Sequence, residues 1–213
     1  MPNIHLRNNY QKAVVYMVLA YISIALMGVF VKYASDELPS SEILFSRFFI
    51  GFMFLLPFLI KDGDFKVDMS QWKFLVLRNL AGIASMLLTF YAIKYLPISI
   101  AVLLMNTSTL FVPLLLFFFK VRTPLKVLAC SFMGFFGVSI IMLTNGSMDI
   151  NPLHVGYALG AAVLAAMAFI SLQELNKHNS PKNIVFYFHL LGSILLPLFF
   201  IAQWKIPTLH GFT

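Results

Sequence analysis

The chain has 213 residues, of which 60% are apolar, 15% aromatic and only 11% charged, with a formal net charge of +7. A soluble domain carries about 25% charge, so this composition excludes a soluble globular enzyme and a disordered chain. It also excludes a nucleic-acid-binding domain, because the basic residues are scattered between apolar runs. The one cysteine, Cys130, excludes an intrachain disulfide and a zinc site built from several thiolates. It reads as a small apolar filler within a helix.

A membrane-spanning helix needs about 20 mostly apolar residues. Seven stretches qualify: 13–34, 42–60, 72–93, 97–119, 125–143, 153–173 and 184–203. The expected fold class is therefore all-α integral membrane. The first stretch follows Arg7 and Lys12, as in a signal peptide, but it is too long for an h-region and lacks an A-x-A site, so it reads as a retained helix. A loop containing Pro39 leads into the second stretch, which holds Arg47 and ends at Asp62-Gly63-Asp64. Trp72 opens the third, at headgroup level. Pro97 starts the fourth, where its missing N–H costs little. Asn106-Thr107-Ser108-Thr109 occupies the middle of that stretch, four residues before Pro113. Asn145-Gly146-Ser147 ends the fifth. Gly156-x-x-x-Gly160 and several alanines give the sixth a small surface suited to close helix packing within the chain, a dimer interface being the weaker alternative. Asn179-Ser180-Pro181 precedes the seventh, and Trp204 follows it.

Lys and Arg set the orientation. Eleven lie on the side of the N-terminus: Arg7, Lys12, Lys61, Lys66, Lys73, Arg78, Lys120, Arg122, Lys126, Lys177 and Lys182. Three lie opposite, namely Lys32, Lys94 and Lys205, and Arg47 is inside a helix. The N-terminus is expected to be cytoplasmic in the cell's inner membrane.

The second and seventh stretches share a pattern. Ile43 to Gly51 is followed by Leu55-Leu56-Pro57, and Ile184 to Gly192 by Leu195-Leu196-Pro197. Apolar helices resemble one another, so chance is the competing explanation. A real repeat makes residues 1–145 one five-helix copy and 146–213 the first two helices of a second. Five crossings is an odd number, so the second copy is inverted. A full second copy needs about seventy more residues. The sequence given stops at Thr213, which reads as a fragment, or as a short variant completed by homo-oligomerisation.

These residues resemble the EamA-type drug/metabolite transporter family along essentially the whole chain. Met27-Gly28 through Lys32 is similar to the family's Trp-Gly…Lys pattern. Arg47 and the run to Pro57 resemble its second helix. Phe90-Tyr91-Ala92-Ile93-Lys94-Tyr95-Leu96-Pro97 and Ala101 resemble the junction of its third and fourth helices. Asn106 to Pro113, Gly134 and Gly137-Val138 resemble later family segments. Two features depart from the family: Lys120-Val121-Arg122 stands where a Gly-Glu-Arg turn is usual, and members usually have ten helices. The resemblance implies a secondary transporter moving a small polar metabolite (an amino acid, S-adenosylmethionine or similar) by alternating access, without a cofactor.

The residues name candidates for the binding site. A charge inside a membrane helix is costly unless it faces a cavity, pairs or snorkels. Arg47 therefore reads as an anchor for a carboxylate, or as one half of an ion pair with Glu42, or as a snorkelling side chain. Lys32 reads as snorkelling and Glu174 as a solvated helix end. Asn106 and Ser108 are expected to line a central site where Pro113 strips the Thr109 carbonyl of its hydrogen bond. Interhelical glue by short polar side chains is the alternative. Tyr91, Tyr187 and His189 complete the candidate set by stacking or hydrogen bonding. Neither catalytic nor metal-binding residues are expected. No H-E-x-x-H, G-x-S-x-G or nucleotide-binding loop is present, so an integral-membrane enzyme and ATP-driven transport are disfavoured. The remaining rival is a truncated fragment that no longer transports. The expected partners are the bilayer and a small metabolite, not nucleic acid.

Overall fold

The computed structural model describes residues 3–63, 66–118, 124–144 and 151–200. Eight α-helices follow one another among them. They are α1 (Asn3–Ala34), α2 (Ser40–Asp62), α3 (Trp72–Tyr95), α4 (Ile98–Asn106), α5 (Ser108–Phe118), α6 (Leu125–Thr144), α7 (Pro152–Leu175) and α8 (Pro181–Phe200), with a 3-10 turn at Met69–Gln71. No strand occurs among the described residues. Six spans are long and apolar enough to cross a membrane, α4 and α5 together forming one of them, and α6 adds a shorter apolar helix. The protein is an all-α integral membrane protein, and in their described residues the apolar stretches read from the sequence fall on helices, the fourth on the pair α4 and α5. The turns expected at Asn145-Gly146-Ser147 and Lys120–Arg122, together with Trp204 and Lys205, lie outside the described residues.

Local chemistry sets the helix ends. Gly63 adopts φ 65° after α2 and donates its N–H to the Leu59 carbonyl at 2.9 Å, which closes the last turn. The Asn151 side chain accepts the Leu153 N–H at 2.9 Å and caps α7. Within the helices, Ser23, Ser131, Ser139, Ser171 and Ser193 each donate to the carbonyl four residues back. Their hydroxyls are thereby satisfied without water.

The fourth stretch differs from the expected helix kinked by its proline. It breaks at Thr107, six residues before Pro113. The Thr107 N–H reaches back only to Leu104 at 3.1 Å, a 3-10 spacing. The hydroxyls of Thr107 and Thr109 take the Leu104 and Asn106 carbonyls at 2.5 and 2.9 Å. The polar run thus closes its own backbone.

α3 backs onto α7 through the small surface of α7. Ser85 donates to the Ala161 carbonyl at 2.8 Å, and Gly160 lies against Leu88. Gly156 has open space around it. Gly160 and the buried alanines of α7 therefore serve packing within the chain, as expected, and Gly156 does not. α1 is peripheral: Tyr16 and Phe30 are about 70% exposed, and Val31 is its buried contact with the core.

α2 crosses α8 more closely than ordinary side chains permit. A Cβ on Gly192 would sit 2.5 Å from the Phe48 ring, and a Cβ on Gly51 would overlap the His189 ring. The contact is reciprocal: Phe48 of α2 fills the notch of α8, and His189 of α8 fills the notch of α2. The turns leading into these helices match as well. Ser35, Asp36, Glu37 and Leu38 donate to residues 31, 33, 34 and 34; Asn176, Lys177, His178 and Asn179 donate to 172, 174, 175 and 175. The shift is 141 residues throughout, as from Ser35 to Asn176, and it also relates Gly51 to Gly192 and Phe48 to His189.

Polar contacts fasten the two ends of the bundle. At the end holding Asp62, Lys182 bonds Asp62 at 2.6 Å, the Asp68 N–H donates to Asn179 Oδ1 at 2.6 Å, and Asn183 donates to the Lys66 carbonyl at 2.7 Å. At the other end Lys32 Nζ donates to the carbonyls of Ile93, Lys94 and Leu96 at 2.9, 2.8 and 3.3 Å. Lys32 is thus a cap on α3, placing its charge at the negative end of the helix, and not the snorkelling side chain expected.

Replacing Gly192 by Ala drives a methyl group into the buried Phe48 ring. The expected loss is about 1–3 kcal/mol, read as a lowered unfolding temperature of the detergent-solubilised protein.

Candidate functional site

Arg47 is the eighth residue of α2 and lies on the face that meets α3 and α8. Its Nη1 bonds the Met86 thioether sulfur at 2.9 Å, in the middle of α3. A thioether is a weak acceptor, so the guanidinium is held but not neutralised. Glu42 is not its partner.

Arg78 enters from the opposite end of the bundle, as the seventh residue of α3. Helical side chains lean towards the N-terminus of their helix, which for Arg78 is also the direction of the nearer headgroups. Arg78 runs the other way. Its Nη1 lies at the bare backbone of Gly82, one turn deeper, and its guanidinium sits 4.3 Å from the centre of the Phe188 ring. Its Nε is buried without a hydrogen-bond partner. The neighbouring Asn79 is 1% exposed, and neither end of its amide has a partner. Sequence reasoning counted Arg78 only as a basic residue near the N-terminal side. The missed signal was spacing: Arg47-x-x-x-Gly51 and Arg78-x-x-x-Gly82 each clear a notch one turn from the charge.

His189 stands at the same crossing. Its ring is 5.6 Å from Phe48 and 5.8 Å from Phe188, the ring on which Arg78 rests. Nδ1 faces the Val185 carbonyl at 2.9 Å. A carbonyl only accepts, so Nδ1 carries the proton, and Nε2 is left towards Gly51.

The structure therefore brings Arg47 and His189 together and sets the other candidates elsewhere. Tyr91 belongs to the α3–α7 interface, 5.9 Å from Tyr157 and near the Tyr95–His154 stack at 4.4 Å. Asn106 is exposed and Ser108 buried, beside the break between α4 and α5. Tyr187 is half-buried with its ring against Phe186. Glu174 pairs with Lys177 at 2.6 Å on an exposed helix end. Cys130 is exposed on α6, not buried as a core filler. Among the described residues neither Arg47 nor Arg78 is found in an ion pair; ion pairs there include Lys177–Glu174 and Lys182–Asp62.

A helical membrane bundle with cations turned inward suits a carrier of polar solutes, and the family comparison agrees. The EamA-like transporter family matches residues 11–143, well over half of the chain. The chain belongs to this family. It is similar to the pseudopaline exporter CntI of Pseudomonas aeruginosa, 28% identical over 206 residues, covering 92% of this chain and 69% of the relative. It is similar also to the S-adenosylmethionine uptake transporter of Rickettsia bellii, 26% identical over 205 residues, covering 94% and 68%. A riboflavin transporter of Vibrio cholerae is 25% identical over 199 residues, covering 90% and 65%. The chain thus spans about two thirds of the length of these relatives. No solved structure matches it significantly. EamA membership and these relatives make the protein a small-metabolite membrane transporter and not an enzyme.

The notch at Gly51 gives a test of the site's geometry. Gly51→Ala should lower stability, because the methyl group meets the His189 ring. With His189→Ala already in place, the same change should cost at least about 1 kcal/mol less, the size of coupling seen between contacting residues. Thermal unfolding of the four proteins of this cycle measures the difference.

Proposed function

We propose that this transporter moves a small polar metabolite, such as an amino acid or S-adenosylmethionine, across the inner membrane by alternating access, with Arg47 as a substrate anchor. The carrying observation is that Arg47 is turned into the α2–α3–α8 contact, where its acceptor among the described residues is the Met86 thioether. An intramembrane charge without a counter-charge is costly and marks a substrate path by default. The relatives' names support a small-metabolite cargo, and their variety leaves the substrate open between such molecules. His189 shares the site; Tyr91, Asn106, Ser108 and Tyr187 are proposed to meet the substrate at other stages of its passage.

The reading includes two copies of one repeat, residues 1–145 and the start of an inverted second at 146–213. The 141-residue shift in the turns and the reciprocal glycine notches support it. Two halves that exchange contacts across such an axis can rock about a fixed central site, which is the physical basis of alternating access. A homo-oligomer is the form in which a second subunit supplies further helices. The basic residues support a cytoplasmic N-terminus, which puts the Asp62–Lys182 end of the bundle inside.

Proteoliposomes loaded for uptake of S-adenosylmethionine and of mixed amino acids test the anchor. Arg47→Ala should lower uptake of the transported compound at least about tenfold, the weight of one charge-assisted contact. Arg47→Lys should restore part of it, since a point charge replaces a fork. Unchanged uptake in Arg47→Ala overturns the role. For the orientation, a fluorescent protein that matures only in the cytoplasm should light up on the N-terminus.

A further inference from the structure

We propose that Arg47, Arg78 and His189 together form a binding site for a doubly charged anionic group, a phosphate or a pair of carboxylates, at the crossing of α2 and α8. The proposal rests on the transport reading above and extends it from a single anchor to a two-cation site with a defined ligand class.

Four observations carry it. First, the two guanidinium groups come from opposite ends of the bundle and both turn to the same crossing. Arg47 lies about 10 Å into α2 and Arg78 about 9 Å into α3 at 1.5 Å per residue. Second, Arg78 does not snorkel. It runs away from the nearer headgroups along the notch of Gly82 and rests on Phe188. Third, among the described residues neither cation is neutralised. Arg47 has a thioether and Arg78 a ring face, and Arg78 Nε is buried without a partner. Fourth, Asn79 beside Arg78 is 1% exposed with both ends of its amide unpartnered. Buried polar groups are normally satisfied, so donors left open in this number point to a missing acceptor.

The charge arithmetic selects the ligand. One carboxylate neutralises one guanidinium and leaves the other exposed to an apolar environment. A dianion neutralises both, and its several oxygens match the forked donors of arginine. His189 adds Nε2, which donates when protonated and accepts when neutral. The placement also follows the 141-residue relation. Phe188 holds the position equivalent to Arg47, and Arg78 lays a guanidinium on Phe188. The crossing therefore meets a cation at similar depth from each end of the bundle, Arg47 on α2 and Arg78 on α3, so a dianion finds a partner nearer each side of the bilayer.

The test is binding to the full chain in detergent, read as the shift in unfolding temperature at matched ionic strength. The probes are inorganic phosphate, succinate and acetate. Half-saturation by phosphate or by succinate should fall at least about tenfold below that by acetate, one charge-assisted contact apart. Which of the two does so assigns the source of the charges. Arg78→Met should bring that ratio close to one, and Arg78→Lys should retain most of it. Equal response of the unmodified protein to all three probes overturns the proposal, and so does a ratio that survives Arg78→Met. If Arg78→Met does not fold, the ratio in the unmodified protein and in Arg78→Lys decides. The assay needs no transport. Dianion preference without uptake in proteoliposomes would overturn the transport reading and leave the site. Uptake without dianion preference would overturn the site alone.

Discussion

The absence of side chains at Gly51 and Gly192 lets α2 and α8 cross with each helix's ring seated against the other's bare backbone. Interhelical packing in a membrane has no hydrophobic driving force and depends on close contact and on satisfied polar groups. This crossing supplies the contact at one point, and the loops at the Asp62 end hold the same two helices in register through Lys182, Asn179 and Asn183. The placement of His189 against α2 follows from that crossing. Arg47 and His189 face each other because they stand one turn from, or within, the notches.

The polar residues of the helices divide into two kinds. Ser23, Ser131, Ser139, Ser171 and Ser193 satisfy themselves at carbonyls four residues back, Thr107 and Thr109 close the break in α4–α5 at carbonyls three residues back, and Ser85 reaches across to Ala161 of α7. Lys32 does a related service for α3, taking three terminal carbonyls. These groups need neither water nor ligand. Arg47, Arg78 and Asn79 are different, because no local acceptor meets their donors. In a low-dielectric interior such groups are expensive, and the structure gathers two of the three at the face where α2, α3 and α8 meet. The contrast separates structural polarity from binding polarity without reference to any ligand.

How far the site was legible in the sequence varies by residue. Arg47 stood out because a charge at the sixth residue of an apolar stretch is costly, and an anchoring role weighed as much there as an ion pair or snorkelling. Arg78 did not, because it lies near enough to a basic helix end to pass for an orientation signal. Only the direction of its side chain, inward along Gly82, distinguishes the two. Asn106 and Ser108 drew attention as an unbroken polar run, yet their meaning depends on which face of the helix each one occupies. Tyr91 is half-buried at the α3–α7 interface, and a single tyrosine in a helix carries no sign of which neighbour it will meet.

The sequence by itself determined the material and the architecture at low resolution. In hydrocarbon, backbone groups must be bonded within their own segment, so long apolar runs become helices whatever surrounds them. Their length, their punctuation by Gly and Pro, and the bias of Lys and Arg are all local properties. The family pattern was legible for the same reason, since it is written in short segments at fixed spacing. Only the tertiary structure decided which helices touch and how closely, and therefore that α3 backs onto α7, that Lys32 caps a helix 61 residues away, and that Arg47 turns to Met86 of α3 while Arg78 turns to Phe188 of α8. Those outcomes depend on rotation and register between helices. They are set by the fit of small residues against large ones at a distance, which no window along the chain contains.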